Sequence, residues 1–483
     1  MFFLLPAVVY LTLLSRFPCS NGGGPFTAPL AANKLVFSPQ STTSTLQPNI
    51  AISIEASSVY SPPPACSWKS RTATALSPAG GRKFRSKDVD ATTVTASRGQ
   101  HEASGIVTDR ANPQAVRITH GGTYTGQWSS NDPNVPAVTV ATDEPVIITG
   151  STITGKGVLI MVWGNGSANL TLTHVTGKGL DPGVNGLARG VFLNAQKIGK
   201  LVVDHCTVIG TSFGVYLYNS SVSKLSITNN IGQDFDDRVS DGNGGQLLNR
   251  RVLGHFIILI NSIALNGGEI AWNQFVNNTS TDAIEDIINI YNSRGASVDA
   301  PIRIHDNYLD GAYASGQTTG YTGSGLQTDG PSDDPATGTG FLEIYRNVIV
   351  HSAGLGLSVD AGHNISLTNN RVVSCGYDSN GKRLTSNGYA YSMWNFYKTH
   401  QFHDNTIQGN SGGLIQVSKD GKPINSDFWG PSVSDSLVNV LSDNNMDHPC
   451  WLKGILSQAP EAAEFAAWRH KVSAAGKVLG NAY

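Results

Sequence analysis

Tyr218, Tyr291, Asp329, Asp360 and Trp394 lie at or near the ends of short alternating stretches, such as Gly325-Leu326-Gln327-Thr328-Asp329 and Gly356-Leu357-Ser358-Val359-Asp360. If those stretches stack, they fall on one outward row that reads Asn194, Tyr218, Asn261, Tyr291, Asp329, Asp360, Trp394 and Ser418. Aromatic faces stack on the C–H surfaces of pyranose rings, and carboxylates bind hydroxyls, a cation or a proton. The row therefore suits a sugar. Stacked strands lie about 4.8 Å apart, so Asp329 and Asp360 are expected as neighbours that repel when both are ionised. A shared proton or a hard cation such as Ca²⁺ relieves such a pair. Asp beside Gly is equally a common turn residue. A second acidic group, Asp282, Glu285 and Asp286, precedes Tyr291, with Arg294 just beyond. It reads either as turn and edge charges or as a metal or acid/base cluster one repeat below Asp329.

The elements that must position these residues recur. Leu225-Ser226-Ile227-Thr228-Asn229-Asn230, Ile302-Arg303-Ile304-His305-Asp306-Asn307, Leu342-Glu343-Ile344-Tyr345-Arg346-Asn347 and Ile365-Ser366-Leu367-Thr368-Asn369-Asn370 share one frame, and 401–407 offers a further copy ending near Asn405. Period-two alternation means strands, and a unit of about two dozen residues means a solenoid whose repeats bury a core only by stacking. Asn230, Asn273, Asn307, Asn347, Asn370 and Asn405 are expected to form a structural amide ladder at the corner. Glu269, Arg303 and Glu343 read as a solvated charge ladder. His305, Tyr345 and His403 are expected on one outward row, and His205, Asp306, Arg346 and Asp404 on the next. The longest insertions, about 232–253, 310–323 and 376–387, all precede the strand that carries the acidic row, with 330–340 after it. They build walls beside one face, and Asp333 and Asp334 lie in one of them.

In 483 residues with 53 Gly, 14% charged residues and a net charge of −2, nothing invites nucleic acid or an anionic membrane. Five cysteines are too few for a disulfide framework, although a Cys375–Cys450 bridge is possible and Cys206 reads as a buried thiol. The apolar run at 1–14 is too short to span a bilayer and has the length of a signal-peptide core. Residues 1–20 are thus expected as an export signal, an organelle transit sequence being the alternative. Residues 21–104, rich in Ser, Thr, Pro and Gly, are expected as a disordered linker. Regular coils occupy 105–430, and 431–483 forms a C-terminal cap with a helix at 461–477. The sequons at Asn165, Asn169, Asn219 and Asn364 fit an exported glycoprotein.

The coils at 146–417, with the apolar-x-apolar-x-x-Asn frame and the acidic strand 282–291, resemble the pectate-lyase-like superfamily. That resemblance implies an all-β, single-stranded right-handed parallel β-helix with a C-terminal capping helix. It also implies a secreted, monomeric, carbohydrate-active protein. Within the coils no Arg is followed two places later by Pro, and Asn-Thr-Asp, Gly-His-Gly and Arg-Ile-Lys are absent, so neither pectate lyases nor polygalacturonases are matched closely. The leading expectation is β-elimination on an acidic polysaccharide. Asp329, Asp360 and Asp286 would hold Ca²⁺, Arg294 or Lys398 would be the base, and Tyr218, Tyr291 and Trp394 would bind sugar. Two readings stand beside it: a glycoside hydrolase with paired Asp329 and Asp360, and a non-catalytic glycan-binding wall protein.

Overall fold

The computed structural model describes strand segments within 9–107 and then residues 114–481, apart from 278–282, 315–321, 385–387 and 431–438. The chain divides into two units, Met1–Gln114 with Gly122–Gln127, and Ala115–Gly121 with Trp128–Tyr483. In the first, Leu35–Gln40, Ala51–Ala56 and Lys83–Ser86 pair antiparallel in that order, and Ser67–Ser70, Thr92–Arg98 and His101–Val107 form another antiparallel set. The rest of the expected leader and linker lies mostly outside the described residues.

The second unit is built from strands in a large, mostly parallel sheet, with one helix near its end. Most strands pair in parallel with their counterparts one repeat on; three files of longer strands result, with a short one of Ser221–Val222, Ile263–Ala264 and Arg294–Gly295. The first contains Lys224–Thr228, Gly268–Ala271, Ile302–His305, Gly340–Tyr345 and His363–Thr368. The second contains Ile231–Gln233, Gln274–Val276, Tyr308–Asp310, Val348–Val350 and Arg371–Ser374. The third contains Phe213–Tyr218, His255–Ile260, Asp286–Tyr291, Ser324–Asp329, Leu357–Val359, Tyr391–Met393 and Phe428–Trp429. Alternation sends Ile227, Ile270, Ile304, Ile344 and Leu367 inward in register, and all are fully buried.

Between the first and second files the chain turns through the left-handed region at Asn229, Trp272, Asp306, Arg346 and Asn369, with φ between 55° and 59°. Each such non-glycine residue costs roughly 1–2 kcal/mol. The residue after it offsets that cost. The Asn230 N–H and Nδ2 both donate to Asn273 Oδ1 (3.0 and 2.9 Å), while Asn230 Nδ2 also reaches the Val203 carbonyl of the repeat before (3.0 Å). The same pattern runs through Asn307, Asn347, Asn370, Asn410 and Asn444. Cys206 starts the row with its N–H on Asn230 Oδ1 (2.8 Å), and burial pushes its thiol up to about 12.

The ladder was expected to end on Asn405, and the structure corrects this. Ser366 faces Thr406 and Leu367 faces Ile407, which puts Asn410 opposite Asn370 and leaves Asn405 to accept the Ile365 N–H (3.1 Å). Both asparagines satisfy the sequence frame, and burial of Ile407 against Leu367 selects between them. His403 and Asp404 consequently leave the rows of His305 and Asp306, and His403 stacks on His363 at 5.2 Å. A second, shorter ladder was not anticipated. Asn219, Asn261 and Asn292 are left-handed (43° to 48°), and the hydroxyls of Ser220, Ser262 and Ser293 accept N–H groups of Ile198, Ser220 and Ser262 at 3.0–3.2 Å. Asn261 is therefore a corner residue, and Ile260 takes its place in the outward row.

The helix, Ala459–Ala474, does not cap the last coil as expected; it runs as a strap along the second file. Glu461 accepts the Cys375 N–H (2.7 Å), Glu464 pairs with Arg371 (2.7 Å), and Trp468 donates to the Asp306 carbonyl (3.0 Å). Beyond the helix, Gly480 reaches Asn229 and Asn481 reaches Thr207. Trp468, Val472 and Leu479 pack on Tyr308 and Val350. The Cys375–Cys450 bridge is formed, with Cα atoms 5.4 Å apart, and it ties the segment before the strap to the second file.

Replacing Asn347 by Ala strands the Asn307 N–H and amide in a dry corner, where each lost partner costs about 1–3 kcal/mol. The thermal midpoint should fall by several degrees. The half-exposed Arg303, which donates to Glu343 (2.8 Å), should tolerate Arg303→Ala with a change of about 1 kcal/mol or less. Equal melting losses in the two variants would remove the ladder as the main support.

Candidate active site

In the third file the inward positions, among them Ile288, Ile290, Leu326, Thr328, Leu357 and Val359, are fully buried, which fixes the residues between them as outward. Two outward rows result. One joins Asn289, Gln327, Ser358, Ser392 and Trp429. The other joins Tyr291 to Asp329, and main-chain bonds beyond the strands extend it. The Asp360 N–H donates to Thr328 O (3.1 Å) and the Trp394 N–H to Val359 O (2.9 Å).

Both rows open into a cavity of about 340 Å³. Glu285, Asp286, Asp329 and Asp360 line it, with Gln327 and Ser392 beside them. Tyr389, Trp394, Phe396, Tyr397 and Trp429 form an aromatic wall in which neighbouring ring centroids lie 4.9–6.3 Å apart. Three buried polar atoms on the lining, Asp286 Oδ1, Gln327 Oε1 and Ser392 Oγ, have no hydrogen-bond partner. Other described residues, such as Trp128 and Thr211, hold buried polar atoms in the same state, so what sets these three apart is their place on the lining. A sugar offers the hydroxyls they lack.

The acids differ in environment. Asp360 is 4% exposed; Gln327 Nε2 donates to its Oδ2 (2.5 Å) and the Ser358 hydroxyl to its Oδ1. Burial pushes Asp360 up to about 8, with the charges of Asp329 and Asp286 adding to the rise and the Ser358 and Gln327 hydrogen bonds opposing it. Burial also lifts Asp286 to about 7, aided by Glu285 and resisted by His255 and by Asn289, whose Nδ2 donates to Oδ2 (2.9 Å). Asp329 is half-buried, and it accepts from the Gly330 N–H (2.9 Å) and the Tyr397 hydroxyl.

Glu285 and Asp286 thus join Asp329 and Asp360 rather than serving as edge charges alone; Asp282 lies outside the described residues. His255, Glu285 and Asp286 approach closely enough to hold a metal. Both His255 ring nitrogens are already engaged, Nδ1 with the Asp286 carbonyl (3.0 Å) and Nε2 with Glu285 (3.4 Å). Burial alone would lower its affinity for a proton, and the Glu285 contact raises it above the ordinary value. Ca²⁺ takes six to eight oxygen ligands. Asp286 and Asp360, two of the three expected ligands, are buried so that their proton affinity is raised to about 7 and about 8, and carboxyls that keep their protons fit Ca²⁺ poorly.

Other expected residues lie elsewhere. The Arg294 guanidinium donates to the carbonyls of Gly295 (3.1 Å), Ala296 (3.4 Å) and Pro335 and lies over Phe341, outside the cavity lining. Lys398 is exposed in a left-handed turn and also lies outside the lining. Asp333 pairs with His400 (2.7 Å), joining two loops. Tyr218 lies three repeats from Asp329 along the row. Asn194 faces Tyr216, leaving Gln196 beside Tyr218, and Ser418 follows a strand of the second file. Gln327, Ser358 and Ser392 were legible one alternation step before the acidic row. Tyr389, Phe396, Tyr397 and Trp429 carried no such signal, because the segments around them break the frame. Comparison with protein-family models gives no match, and comparison with curated proteins gives none.

An unfolded aspartate gives up its proton near pH 4, whereas folded Asp360 keeps it to about 8. Between those values the folded chain binds the extra proton, so stability is fully present below about pH 4 and is lost as pH rises towards 8. Asp360→Asn should therefore raise the melting temperature more at about pH 8 than at about pH 5. A constant offset between the two melting curves across that window would contradict the assignment.

Proposed function

We propose that the chain is a right-handed parallel β-helix that hydrolyses a glycosidic bond in a polysaccharide, with Asp360 as general acid and Asp329 as its partner carboxylate. The handedness rests on the family resemblance and on the strong preference of parallel crossovers for the right-handed turn. One observation carries the chemistry: Asp360 is buried so that it keeps its proton at neutral pH, one repeat from the more open Asp329. Pairs of titratable groups in contrasting environments assign themselves as acid and base.

Adjacent repeats are separated by about 4.8 Å, close to the roughly 5–5.5 Å between carboxyls of retaining enzymes. Asp360 gives its proton to the glycosidic oxygen as that C–O bond breaks, and an Asp329 oxygen bonds to the anomeric carbon. Water then attacks the same carbon, Asp360 takes a proton from it, and Asp329 leaves. The Tyr397 hydroxyl and Gly330 N–H orient Asp329 for attack. Asp286, Gln327 and Ser392 supply unpaired atoms for sugar hydroxyls.

β-Elimination is less well supported, because a uronate carboxylate needs a cation or a positive group beside it. Four acids line the cavity, and neither Lys nor Arg is among the lining residues. A glycan of low charge fits better. The export expected from the leader agrees with a polysaccharide substrate.

The test is incubation with galactan, xylan, polygalacturonate and alginate, following both reducing ends and absorbance from unsaturated ends. We expect reducing ends without absorbance, insensitivity to chelator and a retained anomeric configuration by NMR. Asp360→Asn should lower kcat about 10²- to 10⁴-fold. Full activity in that variant, or unsaturated products, would sink the hydrolytic reading. Retention on a glycan without any product would leave a binding protein.

A further inference from the structure

The acidic row does not stop at the cavity. Tyr291 faces Ile260, which faces Tyr218; Tyr218 faces Gln196, which faces Trp163. Five repeats of about 4.8 Å separate Asp329 from Trp163, a distance of about 24 Å. Trp163 is 65% exposed although its neighbour Val162 is fully buried, so the indole stands outward on the side of this row. Halfway along, the rings of Tyr216 and Tyr218 lie 6.3 Å apart on the same face.

Along this row Trp163, Tyr218 and Tyr291 place an aromatic ring at every second repeat, with Gln196 and Ile260 between them. The indole's position on an outward row excludes a core role. The row runs in register from Asp329 to the Gln196–Trp163 pair, and Trp163 is the last paired residue before the register of its strand shifts. What such a line accommodates is a long ligand with repeated apolar C–H faces.

Resting on the hydrolytic reading, we infer that the substrate is a polymer lying along the coil axis and that Trp163 is a distal stacking platform for a sugar several units from the cleaved bond. Once the cavity holds one part of the chain, the next contact forms at high effective concentration, so distant stacking tightens polymer binding without touching the reacting atoms. The specificity that follows is for chain length. A polymer engages Trp163, Tyr218 and the cavity together, whereas a short oligosaccharide reaches the cavity alone.

Trp163→Ala removes an exposed side chain, so its melting curve should overlay that of the unsubstituted protein. KM is then measured on whichever polysaccharide of the panel is cleaved and on its trisaccharide, with kcat read separately. The expected result is a KM raised about tenfold on the polymer, kcat within about twofold, and unchanged constants on the trisaccharide. Unchanged polymer KM in a protein that still cleaves it overturns the distal platform and leaves the hydrolytic reading standing. Equal losses on polymer and trisaccharide overturn it as well, since Trp163 would then act at the cavity. No cleavage of any member of the panel overturns both.

Discussion

The corner hydrogen-bond ladder is the constraint from which the rest follows. A parallel stack could slip by two residues and still bury apolar side chains, so alternation alone does not fix which outward groups become neighbours. The left-handed residue and the asparagine after it remove that freedom. Their side-chain amides join one repeat to the next at a defined atom, which offsets the backbone strain of residues such as Trp272 and Arg346. With Asn307 locked to Asn347 at the corner, Tyr291 faces Asp329 in the third file.

Much of this was legible in the sequence where repeats follow one another closely. From Leu342 to Ile365 the frame is unambiguous, and the structure pairs those residues directly. Legibility failed where two residues satisfied one frame. Asn405 and Asn410 both follow alternating stretches, and only burial of Ile407 against Leu367 chooses between them. Asn261 was misread for a related reason. It follows an apolar strand as an outward residue would, but it holds the left-handed corner, where the Ser262 hydroxyl donates to the Ile260 carbonyl and accepts the Ser220 N–H.

The candidate site was half visible. Asp329, Asp360 and Trp394 emerged from periodicity because they close the strands of the third file. Phe396, Tyr397 and Trp429 come from segments whose lengths obey no repeat, and only the fold brings them to the acids. The expectation that placed Arg294 as a base relied on proximity in sequence. A single corner at Ser293 carries it off the acidic face, where three carbonyls and the Phe341 ring occupy its guanidinium. In a solenoid, nearness along the chain is a poor guide, because a few residues move a side chain to another face while dozens return it to the same one.

The same geometry explains how a chain with sparse charge can hold four acids in one cavity. Like charges a strand spacing apart are costly in a low-dielectric setting, and the cost is relieved by keeping protons on Asp360 and Asp286. Burial is what raises their proton affinity, and an open row of the same aspartates would ionise and bind water instead. The strap helix occupies the second file and leaves the third free. One face of the coil is thus spent on stability, and the face that carries the acids is left to the residues that line the cavity.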